Sequence, residues 1–380
     1  MPVALIRVGP SILARCAQGV ARVNSGKSST YRTIVEPRII EASASPDKPA
    51  VRTLLVDEES AGQRLDNWLL KLLKGVPKTH VYRVIRSGEV RVNMGRAGAD
   101  TRVAAGDRIR LPPLRLPVPS TAPAAPAREF PLLFEDDELL AIDKPAGVAV
   151  HGGSGVSFGV IEQLRQARPA ARFLELVHRL DKETSGVLLL AKKRSALVAV
   201  QDQFRHRQTV KVYAALVVGN WPASLKVIDE ALHKGLDGAG ERHVRVVPAQ
   251  NEDGRRSITL VRVQRALPGF TLLDVTLKTG RTHQIRVHLA HQGHAIAGDP
   301  KYGDFALNRR LARGEAVPGL RFERMFLHSR RLGFEHPADG RRLTLEAPLP
   351  AACAALCTAL SAGARAGTHA GSGAAMQESR

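Results

Sequence analysis

One short segment combines acids, cations and a following apolar run in a way that suits catalysis. Residues 178–186 read HRLDKETSG, and the apolar run VLLLA follows at once. A polar loop that opens onto a buried strand, as this one around Asp181 does, is a place where neighbouring cations can hold a carboxylate ionised. From the spacing alone, a salt-bridge cluster on the surface is the default interpretation, and the segment is a candidate site only.

A second polar segment, Leu277–Tyr302, predicts a helix that Thr282 caps and that runs through Gln292, with Arg281 projecting from a strand end just before it. Three histidines follow at steps of three, which is a spacing that metal sites use. No cysteine accompanies them and Gly293 interrupts the helix, so we interpret them as capping or packing residues and predict no metal site. They are His288, His291 and His294.

A third segment begins a predicted strand with the alternating residues KVYA, at positions 211–214. An aromatic residue in such a strand, here Tyr213, is usually a core residue. Lys211 lies two positions earlier on the same face of the strand. The segment by itself therefore does not identify a function.

Residues 155–159 read GVSFG and match the nucleophile elbow of serine hydrolases. That elbow requires a strand, a sharp turn and a helix within an alternating α/β chain. The predicted elements here do not alternate, so a serine hydrolase is a minor alternative and the glycines indicate a loop.

The elements that must position these segments predict an α+β protein. The chain has 380 residues, enough for two domains. From Phe134 onwards strands predominate and helices are too few for a βαβ repeat, which favours a mixed or antiparallel sheet. The predicted strands are 139–143, 186–192, 211–219, 257–265 and 270–278, and a last helix runs from Pro350 to about Leu360.

The overall charge points to a polyanionic partner. The chain carries 56 Lys and Arg against 36 Asp and Glu, a formal net charge of +20. Nucleic acid is the first candidate partner and an acidic membrane surface the second. Three cysteines give no disulfide framework and fit a reducing compartment. The apolar runs are far shorter than the roughly 20 residues of a membrane span, so insertion into a membrane is excluded.

Composition also divides the chain into five parts. Residues 1–50 are a basic extension predicted to be disordered, with a mitochondrial transit peptide as the alternative. Residues 51–113 and 132–361 are the two predicted domains. Between them, 114–131 is a Pro/Ala-rich linker, and 362–380 is a tail predicted to be disordered.

Residues 51–113 resemble an S4 RNA-binding domain. Two amphipathic helices are predicted at 64–74 and 77–87, followed by short strands at 89–93 and 108–111, and the phrases RLDNWL, IRSGEVRVN and GDRI match that family. Residues 62–113 contain 11 Lys and Arg against 4 Asp and Glu. The resemblance implies that the basic face holds RNA by its phosphates; the alternative is a small helical domain with a solvated basic face. The residues expected to contact RNA are Lys78, Arg83, Arg86 and Arg91.

Together the segments resemble the pseudouridine synthases of the RluA/RluC/RluD superfamily. The matching phrases are KPAG at 144–147, HRLDKETSG at 178–186, KVYAA at 211–215, and TGRTHQIRVHLA with GDPKYG between 279 and 303. They follow one another in the family's order, with the S4 resemblance upstream. Within the superfamily, the RluC branch is the most similar.

The resemblance implies a role for each candidate residue. Asp181 is the expected nucleophile, and Arg281 is expected to pair with it. Tyr213 would stack on the flipped base and help to remove the C5 proton, with Lys211 supporting it. Arg179 would fill the space that the flipped uridine vacates. The rearrangement consumes nothing, so no cofactor and no metal is expected.

The same resemblance implies a substrate and a location. We expect the chain to isomerise several uridines of large-subunit (23S) ribosomal RNA, as a monomer in the bacterial cytoplasm, away from membranes. The alternatives are the same chemistry at other RNA sites, RluD-like or in transfer RNA, and a non-catalytic ribosome assembly factor that binds RNA. Attack on C1′, a glycal route and addition to C6 all remain open.

Overall fold

A computed structural model of the chain describes residues 39–42, 51–73, 76–114, 125–153, 156–236 and 242–370. The described chain falls into two compact units, one ending before Ala125 and one beginning there. No helix in these ranges is long and apolar enough to cross a bilayer.

The smaller unit packs two helices against a sheet of short antiparallel strands, in the order β1-β2-β5-β3-β4. The apolar positions of both helices, including Leu65, Leu69, Val81 and Val84, are buried together with Ile109 of the sheet. This agrees with the amphipathic pattern predicted from the sequence. The elements are β1 (Ile39–Ala42), β2 (Arg52–Leu55), α1 (Leu65–Leu72), α2 (Lys78–Arg86), β3 (Arg91–Val92), β4 (Gly95–Arg96) and β5 (Arg108–Leu111).

The larger unit is built on one extended sheet. Its strands are β6 (Leu132–Glu135), β7 (Leu139–Lys144), β8 (Glu175–Leu176), β9 (Ser185–Ala191), β10 (Val210–Val218), β11 (Val227–Leu236), β12 (Arg242–Val247), β13 (Arg255–Leu267), β14 (Phe270–Leu277), β15 (Leu327–Glu335) and β16 (Arg342–Glu346). The strand order is β12-β11-β13-β14-β10-β15-β9-β7-β6, with β16 on β15 and β8 on β9. The pair β9 and β15 is parallel, and the other strand pairs are antiparallel. The predicted α+β class with a mixed sheet is confirmed.

Helices cover both faces of this sheet. They are α3 (Val160–Ala167), α4 (Arg194–Arg205), α5 (Gln284–His291), α6 (Phe305–Arg313) and α7 (Ala351–Ala370). Alternate residues of β9 enter different cores, Leu188 and Leu190 on the side of α3, α5, α6 and α7, and Val187 and Leu189 on the side of α4. Because both faces are covered, residues 187–191 of β9 are all apolar.

Gly186 allows β9 to approach β15 directly after the HRLDKETSG segment. Its φ is +107°, and a Cβ at this position would lie 2.2 Å from the carbonyl oxygen of Ser329. A residue with a side chain is therefore excluded by sterics.

The structure differs from the predicted domain boundaries at three points. Ile39–Ala42 forms β1, inside the segment predicted to be disordered, and the rest of residues 1–50 lies outside the described ranges. Phe130, in the predicted linker, is buried in the core of the larger unit because an aromatic side chain gains from burial there. Helix α7 continues to Ala370 rather than ending near 361; the alanines after position 361 favour the helix, whereas Gly363 and Gly367 do not.

The GVSFG segment at 155–159, for which the sequence favours a loop over a serine elbow, falls partly outside the described residues. The flanking residues Gly153 and Val156 form an isolated bridge rather than a strand, and α3 begins at Val160. The strand that an elbow needs before its serine is therefore missing from the described part of this segment.

Candidate active site

A cavity of about 250 Å³ opens in the larger unit where the segment before β9, the end of β14 and the start of α5 meet. The structure brings the predicted catalytic and substrate-binding residues of this unit to the walls of this cavity, although they are far apart in the chain. They are Arg179, Asp181, Lys211, Tyr213 and Arg281.

The loop that carries Asp181 is held from behind by a buried lysine. Lys144 has no exposed surface, and its Nζ donates to the carbonyl oxygens of Pro145, Val148 and Lys182 at 2.9, 2.7 and 3.0 Å. Burial lowers the pKa of Lys144 to about 7. Three carbonyl oxygens match the three N–H donors of an ammonium group, so the lysine ties the KPAG turn to the residue that follows Asp181.

The guanidinium that contacts Asp181 belongs to Arg286, not to Arg281 as the sequence analysis expected. Arg286 Nη1 lies 3.3 Å from Asp181 Oδ2, and the Arg286 side chain is only 6% exposed. Among the described residues, Arg281 forms no ion pair with Asp181, and it is an exposed residue at the mouth of the cavity.

The local structure explains this difference. The buried Gln284 side chain accepts from the backbone N–H of Arg281 at 3.0 Å and from the Thr279 hydroxyl at 2.8 Å, so the chain turns before α5 begins and Arg281 faces outward. Arg286 is the third residue of the helix, within its first turn and three residues before the fully buried Leu289. An arginine on the apolar face of a predicted helix was the sequence signal that could have identified it.

Arg286 is itself fixed by a second carboxylate, that of Asp299. Arg286 Nε and Nη2 donate to the two Asp299 oxygens at 2.8 Å each, and Asp299 is fully buried. Burial alone would raise the pKa of Asp299, but the hydrogen bonds and charge of Arg286 outweigh it and hold that pKa below its usual value. The bidentate geometry aims the remaining Nη1 at Asp181.

His283 and Tyr302 complete the surroundings of Asp181. His283 adopts the left-handed region at φ 53°, and its Nε2 lies 3.9 Å from Asp181 Oδ2. Its Nδ1 is 2.9 Å from the Tyr302 hydroxyl, and the Arg286 guanidinium lies 5.1 Å from the centre of the Tyr302 ring. Burial lowers the pKa of His283, although the negative charge of Asp181 acts to raise it. Neither residue was predicted from the sequence to have a role.

Tyr213 is buried beside the nucleophile candidate and keeps its proton at neutral pH. Burial, together with the negative charge of Asp181, raises the pKa of Tyr213 to about 12. With that pKa the phenol stays protonated at neutral pH, so Tyr213 presents an O–H donor and an apolar ring to the cavity. Lys211 Nζ lies 5.3 Å from the centre of the Phe204 ring, and Arg179 is exposed.

The histidines considered for metal binding are divided among different partners. His288 Nδ1 lies 2.9 Å from the Thr259 hydroxyl, and His294 Nδ1 lies 2.9 Å from the carbonyl oxygen of Val218. Within the described ranges, no group of three or more His, Cys, Asp or Glu residues is arranged to hold a metal ion.

The smaller unit presents its basic residues differently. Lys78, Arg83 and Arg86 of α2 are exposed, whereas Arg91 on β3 is half-buried and donates from Nη1 to the carbonyl oxygen of Met94 at 3.4 Å. Underneath, the buried Asp66 carboxylate accepts from the Arg64 guanidinium at 2.9 Å. This contact lies at the start of α1, where Arg64 is the N-cap residue and Asp66 is in the first turn.

Comparison with known proteins gives the same division into two parts. Residues 138–291 match the family model described as RNA pseudouridylate synthase, and residues 63–109 match the S4 domain. The chain is 47% identical over 309 residues to the ribosomal large subunit pseudouridine synthase C of Yersinia pestis, covering 80% of this chain and 93% of that protein. The protein of the same name from Escherichia coli K12 is 46% identical over 309 residues, covering 80% and 94%.

A solved structure supports the fold of the larger unit. Human RNA pseudouridylate synthase domain containing 4 superimposes with a TM-score of 0.50 at 28% identity, covering 60% of this chain and 92% of that one.

Proposed function

Because the chain belongs to the RNA pseudouridylate synthase family, with an S4 domain before the catalytic unit, we propose that it converts specific uridines of large-subunit ribosomal RNA into pseudouridine, with Asp181 as the nucleophile. Family membership bears out the predicted enzyme class. The observation that carries the proposal is the position of Asp181, 19% exposed at the cavity wall and 3.3 Å from a buried arginine.

The chemistry needs only an ionised carboxylate and a site that excludes water. In the route through C1′, an Asp181 oxygen bonds to C1′ as the N1–C1′ bond breaks. The freed base turns, C5 bonds to C1′ and expels the carboxylate, the C5 proton is lost and N1 gains a proton. All heavy atoms of the uridine are kept, and the C5 hydrogen leaves to solvent while N1 takes up a proton in exchange, so the net composition is unchanged. The glycal route and addition at C6 use the same carboxylate and stay as alternatives.

The surrounding residues support this use of Asp181. Arg286 stabilises the carboxylate without blocking both of its oxygens, since the contact is made through one nitrogen only. Tyr213 offers a buried ring against which the base can stack. We propose that Arg179, exposed beside the cavity, fills the space in the RNA that the flipped uridine vacates.

The proposed substrate follows from the relatives, which are named for the ribosomal large subunit. Flipping is cheapest at unpaired or bulged nucleotides, so we expect targets in loops or junctions and more than one of them. We further propose that the protein acts as a monomer in the bacterial cytoplasm, where this RNA is found, and that residues 51–113 and 132–361 are the binding and catalytic domains.

The test is to delete the gene and map pseudouridines by carbodiimide-induced stops of reverse transcription, and then to restore them with purified protein. We expect several sites to disappear from large-subunit RNA and to return on addition of the protein. Losses confined to transfer RNA or small-subunit RNA would refute the substrate. Loss of no site, with no tritium released from 5-tritiated uridine in unmodified RNA, would favour the assembly-factor alternative.

A further inference from the structure

Helix α6 exposes an aromatic ring and several guanidinium groups on one side. Phe305 is 52% exposed, and it is the one phenylalanine of the described residues that is largely exposed. Along the helix it shares a stripe with Arg309 and Arg313, four and eight residues later, and Arg310 lies beside them. Leu311, on the opposite side, is fully buried. We name the side formed by Phe305, Arg309, Arg310 and Arg313 the α6 face.

The arginines of the α6 face are available for a ligand. Within the described ranges, the side chains of Arg309 and Arg310 make no hydrogen bond or ion pair, and both residues are exposed. Arg313 has one loose ion pair, with Nη1 3.8 Å from Glu315, and both side chains there are more than half exposed. Such a pair contributes little to stability. The helix therefore presents uncompensated positive charge next to an apolar ring.

The α6 face is rigidly attached to the network around Asp181. Asn308 accepts from the backbone N–H of Gly298 and donates to the carbonyl oxygen of Asp299, both at 2.8 Å. Asp299 is the carboxylate that aims Arg286 at Asp181. Since Phe305 follows Tyr302 by three residues, their Cα atoms are at most about 11 Å apart, and Tyr302 contacts His283 beside Asp181.

Chemistry of this kind suits single-stranded RNA. Flipping a uridine breaks the stack on both of its neighbours, which exposes base faces that an aromatic side chain can cover. Arginine supplies the charge for the adjoining phosphates. We propose that the α6 face binds the RNA strand adjoining the target uridine, with Phe305 stacked on a base and the arginines on phosphates. The inference rests on the proposed function for its substrate.

The test uses the full-length protein and an unmodified large-subunit ribosomal RNA transcript containing 5-tritiated uridine. Tritium release gives kcat and KM, and filter binding at several salt concentrations gives the affinity and its salt dependence. We expect Phe305→Ala to raise KM and Kd about tenfold, within the range for loss of one stacked base, with kcat within twofold. Phe305→Tyr, which keeps the ring, should restore both. The Arg309→Gln/Arg310→Gln pair should flatten the slope of log K against log salt by about 1.4.

The matched control is the Arg341→Gln/Arg342→Gln pair, which removes two exposed arginines beside the far end of β15. Leu327 of β15 lines the cavity and Glu335, its last residue, pairs with Arg342, so the control lies about 26 Å along the strand from the site. It should change the slope less than the α6 pair. Equal slopes for the two pairs, or unchanged KM and Kd in Phe305→Ala, would overturn the inference. Failure of the proposed function looks different, because the wild-type protein then releases no tritium, while filter binding still reports on the α6 face.

Discussion

The cavity around Asp181 and the basic side of α2 use the same kinds of charged residue in opposite ways. In the cavity, Arg286 and Asp299 are 6% and 1% exposed and hold each other by two hydrogen bonds of 2.8 Å. On α2, Lys78, Arg83 and Arg86 are exposed to solvent. A buried charge acts at one position and is costly to misplace, whereas exposed charges act through the field they share and are screened by salt.

This contrast separates two kinds of measurement. Substitutions in the buried network should lower kcat, because they move the reacting carboxylate. Substitutions on the exposed side should change the affinity for RNA and its salt dependence while the chemical step is retained.

The largest expected effect is that of Asp181→Asn. The amide cannot form the bond to C1′ or carry the charge, so tritium release should fall at least about 10³-fold. RNA affinity should stay within about threefold, because it comes mainly from phosphate contacts elsewhere. Activity within tenfold of the wild type would remove Asp181 from the mechanism.

The next largest effect is expected at the GRTHQIR segment, where substitutions of its two arginines, Arg281 and Arg286, should have different consequences. Arg286→Gln removes the contact to Asp181 and leaves Asp299 buried without its cation, so kcat should fall about 10²-fold or more. Arg281→Gln, at the exposed mouth of the cavity, should act mainly on KM. Circular dichroism melts of both variants, with Arg286→Lys as the charge-conserving control, separate misfolding from loss of catalysis. A larger loss of kcat in Arg281→Gln than in Arg286→Gln would restore the pairing expected from the sequence.

Buried histidines extend the comparison to stability. Burial lowers the pKa of His288 and of His328 to about 4. As the pH falls below about 6.5, the unfolded chain takes up protons that the folded chain refuses until about pH 4, so the free energy of unfolding falls. The slope is at most about 1.4 kcal/mol per pH unit for each histidine. Denaturant melts at several pH values between 6.5 and 4 give the free energy of unfolding as a function of pH. This free energy should fall less steeply with pH in His328→Gln than in the wild type. Parallel curves for the two proteins would contradict a lowered pKa of His328.

The smallest effect is expected from substitutions on the basic side of α2 in the smaller unit. Arg83→Gln/Arg86→Gln should flatten the slope of log K against log salt by about 0.7 to 0.9 for each phosphate that the variant no longer neutralises, with kcat unchanged at saturating RNA. Filter binding at several salt concentrations measures this change in slope, with the Arg341→Gln/Arg342→Gln pair as the control. A loss of kcat with an unchanged slope would mean that this side does not bind RNA.

Much of the molecule was predictable because its patterns are local. The apolar run of β9 requires burial on both faces, and the spacing of Leu65 and Leu69 requires a helix with one buried side. The motif order led to the enzyme family and to the residues lining one cavity, among them Asp181, Tyr213 and Arg281.

The sequence by itself therefore determined the fold class, the family and the nucleophile candidate, since each depends on residue type, spacing and order along the chain. Only the tertiary structure decided which arginine reaches Asp181. Arg281 and Arg286 stand in the same motif, and the choice depends on where α5 begins, which the buried Gln284 side chain sets. The tertiary structure also decided that Asp299 orients Arg286, because side-chain direction follows from packing against residues distant in the chain.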